Sequence, residues 1–112
     1  MSIVLVKKIK LDGQPCAKSA RVLTDLMARG LLPRIHQVIA ADERDSSSEG
    51  YALAAEHQVK AAPFFIVTKD DGATQVYRAY HRFLKEIFNQ DAAEADEVAE
   101  IMAQNPDLDF MI

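Results

Sequence analysis

The stretch GQPCAKSARVL, residues 13–23, holds the only cysteine of the chain, Cys16, where a turn passes into a helix. The glycine and proline before the cysteine are turn-forming residues, and apolar residues recur after it at three- and four-residue spacing. This periodicity predicts a helix over residues 16–29, which Gly30 is placed to end. Before the turn, the β-branched run IVLVKKI, residues 3–9, predicts a strand. The chain therefore begins as strand, turn, cysteine and helix.

The rest of the chain alternates strand and helix patterns before it ends in an acidic segment. Ser46 followed by Glu49 is a capping-box pattern for a helix start, and Asp70-Asp71-Gly72 is a hairpin turn signal. The further predicted elements are a strand over 34–41, a helix over 47–58, strands over 64–69 and 73–80, a helix over 81–89 and a last helix over about 92–104.

The predicted order is β-α-β-α-β-β-α, which is typical of an α/β fold. Helices between the first strands imply parallel pairing through right-handed crossovers, and the hairpin adds antiparallel strands. We therefore expect a mixed four-stranded sheet in one domain over residues 1–90. Residues 91–112 would form an extra acidic helix and tail, packed on that domain or extending it.

Composition and charge exclude several classes of protein. The 112 residues are 49% hydrophobic, which is enough for a core, and the net charge is -4. Residues 91–112 hold seven of the 17 acidic residues and none of the 13 basic ones, which leaves 10 acidic and 13 basic residues in the body. The basic residues are scattered, so we expect no nucleic-acid partner. No apolar run reaches the ~20 residues of a membrane helix, and no export signal is evident, so we expect a cytoplasmic protein.

The position of Cys16 favours a reactive thiol. The unsatisfied amides and the dipole of a helix N-terminus stabilise a thiolate, which is the nucleophilic form of cysteine. Lys18 would add a nearby cation, and the hydroxyl of Ser19, one turn along, would donate a hydrogen bond to the sulfur. The alternative is a small, buried and inert cysteine, which is common in proteins. One cysteine and three dispersed histidines give no metal site of the usual spacing.

Two stretches resemble the thioredoxin-fold superfamily, and within it the glutaredoxins. Cys16-Ala17-Lys18-Ser19 stands where that family has Cys-x-x-Cys, and the helix after it has a similar leucine spacing and glycine stop. Ala61-Ala62-Pro63-Phe64-Phe65-Ile66-Val67 looks like the family's cis-proline segment and third strand. The likeness covers roughly residues 3–90, and it implies a thioredoxin-like three-layer sandwich of helices on a mixed four-stranded sheet.

The resemblance implies a one-thiol redox protein that exchanges disulfides, or adds and removes glutathione, through Cys16. Ser19 replaces the second cysteine, and the double glycine that usually follows the fourth strand is absent. The family's proline is cis, which would turn the Ala62 backbone beside Pro63 toward Cys16 and offer it to an extended peptide or to glutathione. Lys10, with Lys8, could bind a carboxylate of glutathione, although lysines at strand ends are usually solvated. No cofactor is required, and the expected partners are glutathione or a protein thiol.

Other functions stay open at this point. A non-catalytic thioredoxin-fold module would hold a protein partner in the same groove, or would bind a partner or a second copy through the acidic segment 91–112. An iron–sulfur carrier would use one Cys16 from each of two chains plus glutathione. Finally, Cys16 to Arg21 is similar to the Cys-x-Lys-Ser-Arg of arsenate-reductase-like proteins, with one extra alanine before the arginine.

Overall fold

A computed structural model describes residues 1–91, and the predicted helix over about 92–104 lies outside these residues. Strands and helices follow one another in the predicted order within the described part. They are β1 (Ser2–Ile9), α1 (Ala17–Ala28), a short 3-10 helix (Leu32–Arg34), β2 (Gln37–Asp42), α2 (Glu49–Glu56), β3 (Phe64–Thr68), β4 (Thr74–Tyr77) and α3 (Tyr80–Phe88).

The four strands form one mixed sheet in the order β2-β1-β3-β4. β1 lies parallel to β2 across α1, as expected for a strand–helix–strand crossover, and antiparallel to β3. β3 and β4 pair antiparallel through the predicted hairpin, in which Gly72 has φ +88°. The expectation of an α/β fold with a mixed four-stranded sheet is confirmed, with three α-helices in residues 1–91.

Side-chain alternation along β1 and β3 divides the core between the two faces of the sheet. Ile3 and Leu5 of β1 face α1 and α3, whereas Val6 faces α2. Stacked and edge-to-face aromatic rings fill the first of these clusters, with Phe65 and Phe83 stacked at 3.8 Å between ring centroids. The first cluster contains Val22, Leu26, Phe65, Tyr80, Phe83 and Leu84, and the second contains Ala41, Ala54, Phe64 and Ile66.

The start of α2 differs from the predicted capping box. The N-cap residue is Ser48, and its hydroxyl accepts a hydrogen bond from the backbone N–H of Asp42 at 3.0 Å instead of capping the helix. The prediction that Ser46 begins this helix was therefore wrong. Gly50 explains the helix position, because a Cβ there would lie 2.3 Å from the backbone nitrogen of Ala41. Only a glycine lets α2 approach β2 this closely.

Two predicted strands are shorter than the sequence pattern suggested. Pro33 lies in the 3-10 helix before β2, so the strand begins at Gln37 and not at residue 34. β4 ends at Tyr77, because Tyr80 already belongs to α3 and packs in the core. Within residues 1–91, no helix combines the length and the apolar character needed to cross a membrane.

Candidate functional site

The turn between β1 and α1 is tightly hydrogen-bonded and presents Cys16 at its end. Lys10 N–H donates to the carbonyl of Gln14 at 2.8 Å, and Gly13 N–H donates to the carbonyl of Lys10 at 2.9 Å. Gly13 has φ +84°, a conformation that glycine adopts without the steric penalty of a side chain. An isolated bridge between Ile9 and Pro15 then brings the chain back alongside β1. The turn therefore fixes where α1 begins.

Cys16 is the N-cap residue of α1, and its sulfur takes the place of the usual capping oxygen. Its backbone is extended, with φ -63° and ψ 158°, and its N–H donates to the carbonyl of Lys8 at 2.9 Å. The N–H of Ser19 points at Sγ at 3.4 Å, in the geometry of an N-cap hydrogen bond. The sulfur thus lies at the positive end of the helix dipole, where a negative charge is stabilised.

Ser19 is 1% exposed and is hydrogen-bonded to both the strand and the thiol. Its hydroxyl oxygen accepts from Lys8 N–H at 3.0 Å and lies 3.2 Å from Sγ of Cys16, which donates to it as a thiol. A serine hydroxyl has one proton to donate and two lone pairs. If Cys16 loses its proton, the hydroxyl can therefore turn its own proton toward the sulfur without giving up the bond to Lys8.

The thiol is present at the site, but little of it is open to solvent. Cys16 is 8% exposed, because it packs at the junction of β1 and α1. Gln14 and Ala17, on either side of it in sequence, are both exposed. Reaction with an external molecule would therefore approach along the edge formed by these two residues.

Lys8 is buried, so its interpretation as a solvated strand-end lysine was wrong. It is 3% exposed, and its Nζ lies 2.9 Å from Oε1 of Glu43, which is 20% exposed. Alternation along β1 places Lys8 on the same face as Val6, and this pattern could have indicated burial from the sequence. Glu43 was missed because it follows β2 and gives no local signal. The pair anchors the backbone that holds Cys16 and Ser19.

Lys10 and Lys18, the two other lysines of the predicted site, lie on either side of Cys16 in sequence. Lys10 is half exposed, and its Nζ lies 3.5 Å from Oδ2 of Asp12 in the turn. That hydrogen-bonded turn also holds Asp12, whose pKa is lowered by the backbone N–H of Gln14 and by Lys10. Lys18 is partly buried on the first turn of α1. Both lysines therefore add positive charge at the start of α1. Asp12 partly balances the charge of Lys10.

The proline segment approaches the same end of β1 from the sheet. Val6 pairs with Phe64, the first residue of β3, so Pro63 directly precedes the last antiparallel pair at this end of β1. Lys8, at the same end of β1, is the residue whose carbonyl receives Cys16 N–H. Ala62 is buried, and the Ala62–Pro63 peptide bond is cis. The two stretches that carry the resemblance thus both lie toward the C-terminal end of β1.

An arginine that the sequence did not single out lies against the turn. The guanidinium of Arg44 forms two hydrogen bonds with the carboxylate of Asp42, at 3.0 and 2.8 Å. These bonds lower the pKa of Asp42 to about 2. A Cβ placed on Gly13 would lie 2.9 Å from Nη1 of Arg44, so the guanidinium covers this part of the turn. Arg44 therefore connects the end of β2 to the loop before Cys16.

His36, just before β2, has a structural partner. Nδ1 of His36 accepts a hydrogen bond from Ile3 N–H at 3.0 Å, next to the start of β2. Among residues 1–91, no three His, Cys, Asp or Glu side chains are grouped as a metal site would require.

Comparison with known proteins adds no relative from which a role could be transferred. No family model matches the chain, and neither a curated protein nor a solved structure matches it.

Proposed function

We propose that the chain is a thioredoxin-like, glutaredoxin-like protein that performs thiol–disulfide exchange with Cys16 as its single nucleophile. The observation that carries the proposal is the double contact on the sulfur, from the N–H of Ser19 at 3.4 Å and its hydroxyl at 3.2 Å. Both groups can donate to a thiolate at the start of α1, and hydrogen bonds to a charged group are the stronger kind.

In the first step, the thiolate of Cys16 attacks one sulfur of an external disulfide, such as a glutathionylated protein. A new S–S bond forms between Cys16 and that sulfur while the original S–S bond breaks. The other sulfur leaves as a thiolate with the electron pair and takes a proton from solvent. The contacts with Ser19 hold the attacking sulfur at the start of α1.

In the second step, an external thiolate attacks the mixed disulfide and Cys16 leaves as a thiolate. An external thiol is required because Ser19 stands in the place of a second cysteine. Over both steps one external thiol is consumed, one thiol is released from the original disulfide, and a new disulfide joins the external sulfur to the sulfur that Cys16 carried. Glutathione, which is abundant in reducing compartments such as the cytoplasm, is the proposed donor.

The proposed substrate-binding residues are Ala62, Pro63 and Lys10. The backbone of Ala62 would pair with an extended peptide or with glutathione beside Lys8, and Lys10 would attract a carboxylate. Lys10 already has Asp12 at 3.5 Å, so the carboxylate would have to compete with that residue. Lys18 would contribute charge and not a contact.

The second candidate is a non-catalytic binding module, and the burial of Cys16 favours it. A thiol that is 8% exposed reacts slowly unless the adjacent turn opens. In this case Cys16 and Ser19 would hold the start of α1, and the surface beside Pro63 would bind a protein. Fold alone cannot decide between the two functions.

The deciding experiment compares the alkylation rate of Cys16 in the native chain at neutral pH with that of free cysteine, and follows the reaction with oxidised glutathione by mass spectrometry. The redox proposal predicts alkylation faster than that of free cysteine and one glutathione added per chain. Ser19→Ala removes the hydroxyl that lies 3.2 Å from the sulfur and should slow alkylation by roughly tenfold.

Thr24→Ala is the matched control, because it removes an exposed hydroxyl from the same helix. Its alkylation rate should equal that of the native chain. If Cys16 reacts only in denaturant, or if both variants keep the native alkylation rate, the redox proposal fails and the binding module remains.

A further inference from the structure

The C-terminal end of β1 is bonded directly to the thiol site. The antiparallel pairs between β1 and β3 end at Val6 and Phe64. Two residues further along β1, the carbonyl of Lys8 accepts a hydrogen bond from the N–H of Cys16 at 2.9 Å. The N–H of Lys8 donates to the hydroxyl oxygen of Ser19 at 3.0 Å. The backbone of Lys8 therefore holds both residues on which the proposed chemistry depends.

The side chain of Lys8 lies on the α2 face of the sheet, where it is 3% exposed. Taking a charge out of water is costly, so a buried ammonium needs a carboxylate close to it. Glu43 supplies one, with its Oε1 2.9 Å from Nζ of Lys8. If the ammonium moved toward solvent, it would pull the backbone of Lys8 away from Cys16 and Ser19.

Glu43 is held in place by the backbone just after β2. Its N–H donates to the carbonyl of Ile9 at 2.9 Å, one residue beyond the last parallel pair, Ile9 with Asp42. The carboxylate of Asp42 is bound by Arg44 at 2.8 Å, so Glu43 is the acidic residue of this segment that is placed against Lys8. Glu43 is 20% exposed, so it connects the surface to a buried cation.

We propose that Glu43 is a positioning residue for Cys16 and acts through Lys8. The carboxylate of Glu43 keeps the ammonium in place, and the ammonium keeps the end of β1 in place. The backbone of Lys8 then holds the sulfur of Cys16 and the hydroxyl of Ser19 at the start of α1. This role rests on the proposed function, because the residue that Glu43 positions is the proposed nucleophile.

Glu43→Gln in the full-length chain tests this role. The variant keeps the size of the side chain and removes the negative charge next to the buried ammonium. The alkylation rate of Cys16 at neutral pH should fall by roughly three- to tenfold, which is within the range for residues that act through others. Loss of stability alone would expose the buried thiol and raise the rate, so slower alkylation is not an effect of destabilisation. An equal or faster rate overturns the proposal.

Glu86→Gln is the matched control, because Glu86 lies on α3 and pairs with Arg82 at a similar distance, 2.8 Å. Its alkylation rate should equal that of the native chain, and a fall as large as that in Glu43→Gln would overturn the proposal. If Glu43→Gln does not fold, Glu43→Asp replaces it. This variant keeps the charge on a shorter side chain and should slow alkylation by a smaller factor, whereas an unchanged rate would count against the role of Glu43.

Adding Lys8→Met to Glu43→Gln tests whether Glu43 acts through Lys8. Methionine has no charge to balance and can pack on the apolar α2 face beside Val6. The double variant should therefore alkylate faster than Glu43→Gln alone. If it is as slow as the single variant, Glu43 does not act through the ammonium, and the proposal is overturned.

The scalar coupling across the hydrogen bond from Cys16 N–H to the Lys8 carbonyl is a readout that needs no reactive thiol. This NMR coupling weakens steeply as the bond lengthens, so it should be smaller in Glu43→Gln and unchanged in Glu86→Gln. A smaller coupling in a chain whose thiol is inert would support the positioning while the redox function fails. An unchanged coupling in a chain whose thiol reacts would overturn the positioning and leave the redox function standing.

Discussion

Replacing Ser19 by alanine tests whether the hydrogen bonds at the start of α1 also hold the fold together. The Ser19 oxygen is the acceptor for Lys8 N–H at 3.0 Å, and the residue is 1% exposed. Ser19→Ala leaves this buried N–H without that acceptor, which destabilises a protein by about 1–3 kcal/mol. Alanine is the better helix former by up to ~0.5 kcal/mol, which offsets part of the loss. We therefore expect a net loss of about 0.5–2.5 kcal/mol in the free energy of unfolding.

Urea denaturation of the native chain and of Ser19→Ala measures this loss as a lower midpoint with an unchanged slope. Thr24→Ala is again the control, because it makes a similar helix-propensity change on an exposed residue of α1. It should leave the stability unchanged or raise it by a few tenths of a kcal/mol. If both variants have the same free energy of unfolding, Lys8 N–H does not depend on Ser19 and the packing described here is wrong.

Three other predictions concern the support of the site. Gly50→Ala places a Cβ 2.3 Å from the β2 backbone, so urea denaturation should show that the free energy of unfolding falls by about 1–3 kcal/mol or more. A denaturation midpoint equal to that of the native chain would refute the close approach of α2 to β2. Lys8→Met and Glu43→Gln should lower the free energy of unfolding by amounts that do not add in the double variant, with a coupling energy of about 0.5–3 kcal/mol. If the two losses add, the ion pair does not contribute to stability. The pKa of Asp42 is depressed to about 2, so the stability from its contact with Arg44 should be present above pH ~4 and lost as the pH falls toward 2. Carboxyl NMR titration should show Arg44→Gln moving the pKa of Asp42 up toward its ordinary value, and an unchanged pKa would exclude Arg44 as the cause.

The elements that sequence predicted well are those with a strong local pattern. Gly30 and Gly72 have the positive φ that ends a helix or makes a tight turn, and both were identified as such positions. Residues 64–67 of the predicted strand are all apolar because both faces of β3 are covered there. In these cases the local backbone preference and the packing agree, so a short window of sequence contains the information.

The features that sequence missed depend on contacts between distant residues. Lys8 and Glu43 meet only because β1 and β2 pair in parallel, with Ile9 opposite Asp42. Ser48 replaces Ser46 as the start of α2 because Gly50 must lie against the backbone of β2. Neither the register of two strands nor the depth of a helix contact is visible in a local pattern.

Some features of the candidate site could also be predicted from the sequence, and others could not. The position of Cys16 at the start of α1 and the nearness of Ser19 followed from helical spacing, which places residues three apart on one side of a turn. The second contact of Ser19, to Lys8, needed the structure, because it crosses from helix to strand. The burial of Cys16 also needed it, since exposure is set by the neighbouring turn.

The measurement that tests the central claim most directly is the alkylation rate of Cys16 in the native chain at neutral pH, compared with the rate for free cysteine. The contacts of the Ser19 N–H and hydroxyl with the sulfur at a helix N-terminus predict faster alkylation than that of free cysteine, and slower alkylation in Ser19→Ala. A rate at or below that of free cysteine, unchanged in Ser19→Ala, would contradict the account and leave Cys16 as a packing residue.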